Sequence, residues 1–183
     1  MVPLGPNVNG FEDDLKAFVS KNSDGTDLQK EVVALSAGTA AVHLALLACG
    51  VGPGDEVCVQ SFTFCASSHP ITYLGATPVF IDSEPNTWNM DPELLEKAII
   101  DRKEKTGKYP KAIVPVALYG MPYDCDRIMA IADKYGIPVV EDAAEGFGSR
   151  YKGQILSTFD KFDILNFNDN KMITTSRGGT LIC

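Results

Sequence analysis

The 183 residues, 45% hydrophobic and 22% charged, suffice for one domain with a real core or for part of a larger one. A net charge of −8, with the acidic residues dispersed, excludes the basic face that a nucleic-acid binder needs. No apolar run is long enough to span a bilayer and no signal peptide is seen, so the expectation is a cytoplasmic protein without a membrane partner.

The five cysteines (Cys49, Cys58, Cys65, Cys125, Cys183) form no CxxC pair, and His43 and His69 are the only histidines, so a zinc site is not expected. Buried free thiols in a reducing compartment are the better reading.

In chain order, a Pro/Gly loop precedes apolar residues at helical spacing, Phe11, Leu15, Phe18 and Val19. The segment Ser23–Asp27 reads as an exposed turn. Strands and helices then alternate. Val32–Ser36 is a strand, and AGTAAVHLALLACG is a helix stopped by Gly50. Glu56–Ser61 is a strand, FTFCASSHPITYLG carries a helix ending near Gly75, and Thr77–Ser83 is a strand. Asp91–Lys105 is a helix with Asp91 as N-cap, Pro92 at its first position and Glu93 in its first turn. Lys111–Gly120 is a strand, Asp124–Gly136 a helix, and Pro138–Gly148 a strand running into a polar end. Phe162–Phe167 is a largely buried strand. A polar turn (Asn168, Asp169, Asn170) then delivers Lys171, and Thr180–Cys183 closes the chain. Strands that are near-continuous apolar runs belong to a sheet covered on both faces, hence a mostly parallel α/β sheet with flanking helices.

Ligands of such sheets gather at the carboxyl ends of the strands. After Val32–Ser36 comes Ala37-Gly38-Thr39, a helix start able to hold a phosphate; taken alone, it is more simply an ordinary N-cap by Ser36 or Thr39. After Glu56–Ser61 come Phe62 and Phe64, which can stack on a flat ligand or fill the core. Asp142 follows an apolar strand, where a carboxylate needs a cationic partner unless it caps a helix. Lys171 is a surface turn residue or an amine kept for chemistry. Neither GxGxxG nor GxxxxGK[ST] occurs, which disfavours a dinucleotide or P-loop site. Together a phosphate cradle, a stacking aromatic, a strand-end carboxylate and a turn lysine match pyridoxal phosphate. The lysine would hold it as a Schiff base, and the carboxylate would keep its ring nitrogen protonated.

The segments SAGTAAVHLALLACGVGPGDEV, SFTF, YLGATPVFIDSEPNTWNMDPELLE, PVALYGMPYDCDRIMAIADKYGIPVVEDAAEGFGSRYKG and NFNDNKMITTS resemble the DegT/DnrJ/StrS family along nearly the whole chain. The resemblance implies the large domain of a type I aminotransferase fold, truncated before its small C-terminal domain, so that residues 1–183 are an incomplete cofactor-binding domain. It implies a homodimer that transfers an amine, with glutamate the expected donor, to a nucleotide-linked keto-sugar, giving an amino sugar for surface polysaccharide or glycan. Lys171 resembles the Schiff-base lysine, and Asp142 the partner of the ring nitrogen. Phe64 matches the stacking aromatic, and Gly38 and Thr39 the phosphate-binding turn. Glu145 lies where members place a residue near the cofactor's 3′-oxygen. His43 is a packing position.

The family commonly has GTFGxxGxxSFNGNK…TSGGG where this chain has Ser157, Asp160, Asp163, Asn166, Asp169 and Arg177. Asn166 stands for the serine expected at the phosphate. Residues other than glycine at positive-φ positions are expected to be strained. Each change is one G-to-A base change, so the alternative expectation is a decayed, non-catalytic remnant of such an enzyme.

Overall fold

The computed structural model describes residues 5–21, 25–159 and 161–183. Helix α1 (Pro6–Val19) begins inside the expected Pro/Gly loop, because a proline at the helix start gives up no helical hydrogen bond. Strand β1 (Val32–Leu35), helix α2 (Gly38–Ala48) and strand β2 (Glu56–Gln60) follow as expected. A 3₁₀ turn (Cys65–Ser67) and a short helix α3 (His69–Tyr73) lead to β3 (Thr77–Ile81). Helix α4 (Pro92–Thr106) is capped by the Asp91 carboxylate, which accepts from the amides of Glu93 and Leu94, and ends at Gly107 with φ +74°. Then come β4 (Ala112–Val114), α5 (Cys125–Tyr135), β5 (Val140–Asp142), β6 (Arg150–Tyr151), β7 (Gln154–Ile155), β8 (Phe162–Asn166) and β9 (Gly179–Ile182).

Strands β3-β2-β4 pair in parallel, and β5 pairs in parallel with β8. Parallel bridges Ile113↔Val139 and Val116↔Asp142 join these groups, giving the order β3-β2-β4-β5-β8-β9-β1. Strand β9 alone in this order runs antiparallel to its neighbours, so the sheet is mostly parallel. Along β2 the side chains alternate between two cores. Val57 and Val59 pack with Ala41, Val42, Ala45 and Leu46 of α2, while Cys58 packs with Leu95 and Ile99 of α4 and Ile128 and Ile131 of α5. Both faces being covered is why the strands read as continuous apolar runs. Each buried aliphatic contributes about 1.5–3 kcal/mol, against roughly 1 kcal/mol for a cap such as Asp91, so the layers rather than the caps hold the helices in place. Helix α1 closes the β1 edge through Leu15 and Val19, packed with Val32, Leu165 and Ile182.

The structure departs from the sequence reading at four points. The strand read across Lys111–Gly120 ends at Val114, before Pro115, which has no N–H to donate. Its remainder forms a 3₁₀ turn (Leu118–Gly120) with Tyr119 at φ +53°. The β6–β7 hairpin, turning at Lys152 and Gly153 with positive φ, carried no sequence signal of the usual Asn-Gly kind. Of the glycine-substituted positions, Ser157 alone among the described residues has positive φ, at +70°; Arg177, Asp163 and Asp169 do not, and Asp160 lies outside the described residues. The turn read at Ser23–Asp27 falls partly outside them as well.

The fourth concerns the thiols, which are not all buried: Cys65 and Cys183 are exposed, Cys49 is half-buried, and Cys58 and Cys125 are buried. Burial pushes the Cys58 thiol up to about 12 and the Cys49 thiol up to about 11, so neither forms thiolate at neutral pH. Titration of the folded chain with Ellman's reagent is expected to modify Cys65 and Cys183 quickly. The other three should react only on unfolding.

Candidate active site

At the carboxyl end of the sheet a cavity of about 260 Å³ opens, and its lining includes Gly38, Thr39, Phe64, Asp142, Glu145, Asn166 and Lys171. All seven residues singled out in the sequence therefore meet in one place, drawn from five segments of the chain. Phe62, Thr63, Leu118 and Tyr119 line it as well.

Asp142 ends β5, locked to the neighbouring segment by its amide donating to the Pro115 carbonyl at 3.0 Å and its carbonyl accepting from the Ala117 amide at 3.0 Å. Its side chain is buried. Oδ2 accepts from the Ser67 hydroxyl at 2.6 Å and Oδ1 from the Ala144 amide at 3.1 Å. The latter bond closes a local turn, so the helix-cap alternative does not hold. Burial pushes the Asp142 carboxyl above its ordinary value, opposed by the Ser67 and Ala144 bonds and by the charge of Lys171.

Lys171 lies on the connection from β8 to β9, where its amide closes a turn onto the Asn168 carbonyl at 3.0 Å. Its side chain is largely buried, and Nζ donates to Glu145 Oε1 at 3.1 Å. The other Glu145 oxygen accepts from the Tyr119 amide at 2.8 Å. One carboxylate thus spans the amine and the left-handed turn at Tyr119.

The start of α2 forms the opposite wall. Ala37 is the N-cap in extended conformation, and no side chain caps the helix, so the simpler reading of Ser36 or Thr39 as cap is overturned. The first amides of a helix lack the usual partner one turn back; here Gly38 and Thr39 line the cavity, while the Ala40 and Ala41 amides bond the Ala37 carbonyl at 3.1 and 3.3 Å. This arrangement depends on close backbone contact. A Cβ on Gly179 of β9 would lie 2.3 Å from the Gly38 nitrogen and 2.4 Å from the Ala37 carbonyl carbon. The Asn166 side chain covers Gly38, where an added Cβ would meet it at 3.1–3.2 Å, and its Oδ1 accepts from the Asn168 amide at 3.1 Å.

Phe64 leaves 73% of its surface exposed beside the cavity, so it is not a core residue. The aromatic wall is held from behind by two buried amides. Gln60 Nε2 donates to the Phe62 carbonyl at 2.9 Å and to Asn89 Oδ1 at 3.3 Å, while its Oε1 accepts from the Met90 amide at 2.9 Å. Asn89 in turn accepts from the Leu118 amide at 3.1 Å and donates to the Met121 carbonyl at 2.9 Å. Sequence reasoning missed Gln60, Asn89, Thr63, Ser67 and Tyr119. A polar residue ending the apolar run EVCV was a usable signal for Gln60; Ser67 has no local signal, since only its contact with Asp142 distinguishes it.

The comparison with protein families is decisive: the model of the DegT/DnrJ/EryC1/StrS aminotransferase family matches residues 1–183. The chain belongs to this family. It is 50% identical over 182 residues to EpsN of Bacillus subtilis, which bears the name of a pyridoxal phosphate-dependent aminotransferase; the match covers 100% of this chain and 45% of EpsN. It is 47% identical over 151 residues to the UDP-2-acetamido-2-deoxy-3-oxo-D-glucuronate aminotransferase of Pseudomonas aeruginosa, covering 82% of this chain and 38% of that enzyme. A crystal structure of a family aminotransferase from Brucella abortus superposes with a TM-score of 0.89 at 35% identity, covering 97% of this chain and 46% of that one. The fold is therefore that of the family's aminotransferases, and this chain spans less than half the length of each of these relatives.

Gly179→Ala is expected to lower stability by about 1–3 kcal/mol or to prevent folding, because backbone, not a flexible side chain, must move. Urea unfolding measures it. A pH dependence follows from Asp142. Its folded carboxyl is raised, so its contribution to stability is present below the unfolded value and lost as pH rises through the folded one. In the ligand-free chain Asp142→Asn should melt higher than the parent at neutral pH, with the difference shrinking on acidification.

Proposed function

We propose that residues 1–183 form the cofactor-binding large domain of a cytoplasmic, homodimeric, pyridoxal phosphate-dependent aminotransferase. Its substrate is a nucleotide-linked keto-sugar, its amino donor is glutamate, and its product is an amino sugar for surface polysaccharide or glycan. The observation that carries this reading is that Lys171 Nζ and the buried Asp142 carboxylate open into one cavity with an uncapped helix start. Family membership supports the reaction class. The Pseudomonas aeruginosa relative, named for a UDP-linked 3-oxo sugar, supports the substrate class.

The donor set fits pyridoxal phosphate. Amides at the start of α2, with Thr39 and the Asn166 amide group beside them, suit its phosphate. Phe64 offers a free face for a flat ring. Asp142 offers a carboxylate, already fixed by two donors, to a protonated ring nitrogen. Glu145 lies within reach of both Lys171 and the pocket. When bound, the cofactor supplies an aldehyde that carries the amine and a ring that takes up the electrons left when a carbon loses its proton.

The chain's own groups do the rest. Lys171 holds the cofactor and then, as a free amine, moves a proton at the substrate carbon; the Glu145 carboxylate beside it steadies its charge. Phe64 and Tyr119, with Met172 next to Lys171, leave an exposed apolar rim, which suits coverage by a second copy.

Full-length protein given pyridoxal phosphate should develop a cofactor absorbance band, and borohydride should fix the cofactor's mass on the peptide containing Lys171. Lys171→Ala should lose both. A parent protein that takes up no cofactor overturns the proposal.

A further inference from the structure

One of the two donors that fix Asp142 is itself backed by a second hydroxyl, which the cofactor reading does not use. Ser67 is buried in the 3₁₀ turn after β2, and its hydroxyl donates to Asp142 Oδ2 at 2.6 Å. Behind it the Thr63 hydroxyl lies 2.8 Å from the Ser67 oxygen, and Thr63 itself lines the cavity. A hydroxyl has one hydrogen to give. While Asp142 is a carboxylate, which can only accept, the Ser67 hydrogen is committed to it. Thr63 must then donate to Ser67, leaving its own lone pairs toward the pocket. If Asp142 were protonated, the acid could donate to Ser67 and Ser67 to Thr63. The direction of the two hydroxyls is therefore tied to the ionisation of Asp142.

We propose that Ser67, oriented by Thr63, is a positioning residue that keeps Asp142 ionised and aimed into the cavity. The pair opposes burial, which favours the neutral acid. The ionisable groups that bear on Asp142 are Lys171, whose charge acts in the same direction as Ser67, and Glu145, whose charge acts against it. The role rests on the cofactor reading, since an ionised Asp142 is what a protonated ring nitrogen requires.

The test is a ¹³C NMR titration of aspartate carboxyls in the ligand-free chain, with the Asp142 resonance assigned by its loss in Asp142→Asn. Ser67→Ala should raise the Asp142 midpoint by about 1–2 pH units, the worth of one hydrogen bond to a charged acceptor. Thr63→Val, of nearly the same shape, should raise it by less, and Ser67→Thr, which keeps the hydroxyl, should leave it near the parent's. A Ser67→Ala midpoint equal to the parent's overturns the relay. If that variant does not fold, Thr63→Val decides: a raised midpoint supports the relay and an unchanged one overturns it. Pyridoxal phosphate binding is read separately, through quenching of Trp88, the only tryptophan, which packs on the cavity residue Phe62 at 5.7 Å. A chain that binds no pyridoxal phosphate but shows the Ser67 shift keeps the relay and overturns the cofactor reading.

Discussion

A carboxylate withdrawn from water at the end of a central strand is the constraint on which this site turns. Burial opposes the charge on Asp142, and the structure answers with donors from two separate places: a hydroxyl from the turn after β2 and an amide from the turn after β5. Removing the charge would relax the ligand-free fold, as the raised carboxyl implies. A group that the empty fold would hold more comfortably as the neutral acid is kept for what it meets in the cavity. The lysine is treated differently. Its amine has a carboxylate partner already in place, and that partner also holds the Tyr119 turn, so the amine and the pocket wall share one anchor.

The second determinant is the approach of β9 to the start of α2. Glycine at 179 lets two backbones come closer than any side chain permits, and Ala37 bridges to Gly178 alongside. That contact fixes where the helix begins, and with it where its first amides point. The antiparallel direction of β9 follows from the same connection. The chain leaves β8, turns at Asn168–Lys171 and returns beside it, which puts the lysine at the carboxyl end of the sheet with the other site residues.

Much of this was legible in the residues. The strands announced themselves because both faces are covered, and α4 because Asp91, Pro92 and Glu93 mark its start. Asp142 and the Gly38–Thr39 turn were legible because they follow apolar strands, where such sheets gather their ligands, while Glu145 and Asn166 were marked by the family resemblance alone. What stayed hidden depends on long-range contact. Ser67 lies in a run of small residues, and its sequence context does not separate it from Ser68; its contact with β5, arriving 75 residues later, is what ties it to the site. Tyr119 was read as strand because its apolar neighbours fit one, yet the missing N–H of Pro115 and the Asn89 bonds turn the chain there. Gly179 was visible as a glycine, but its neighbour across the sheet was not.

The glycine-poor stretch before Lys171 bears on whether such a chain can hold a working site. Strain from left-handed backbone was the expected consequence, yet among the described substituted positions it falls on Ser157 alone, whose amide is held by the buried Glu141 carboxylate at 2.8 Å. Asp163 brings a charge into β8 instead, directly beside Glu141 in register, and Lys30 reaches it at 3.1 Å. A buried charge without a partner would be strongly destabilising, and Lys30 supplies one to Asp163 in the sheet. Asn166 likewise settles over Gly38 and bonds its own turn. Asp163 and Asn166 thus meet partners in their neighbours, while Ser157 keeps a left-handed backbone and a buried Oγ that no neighbour bonds among the described residues. That pattern argues that the segment is compatible with a formed pocket, and it weakens the inference of decay from residue identities alone.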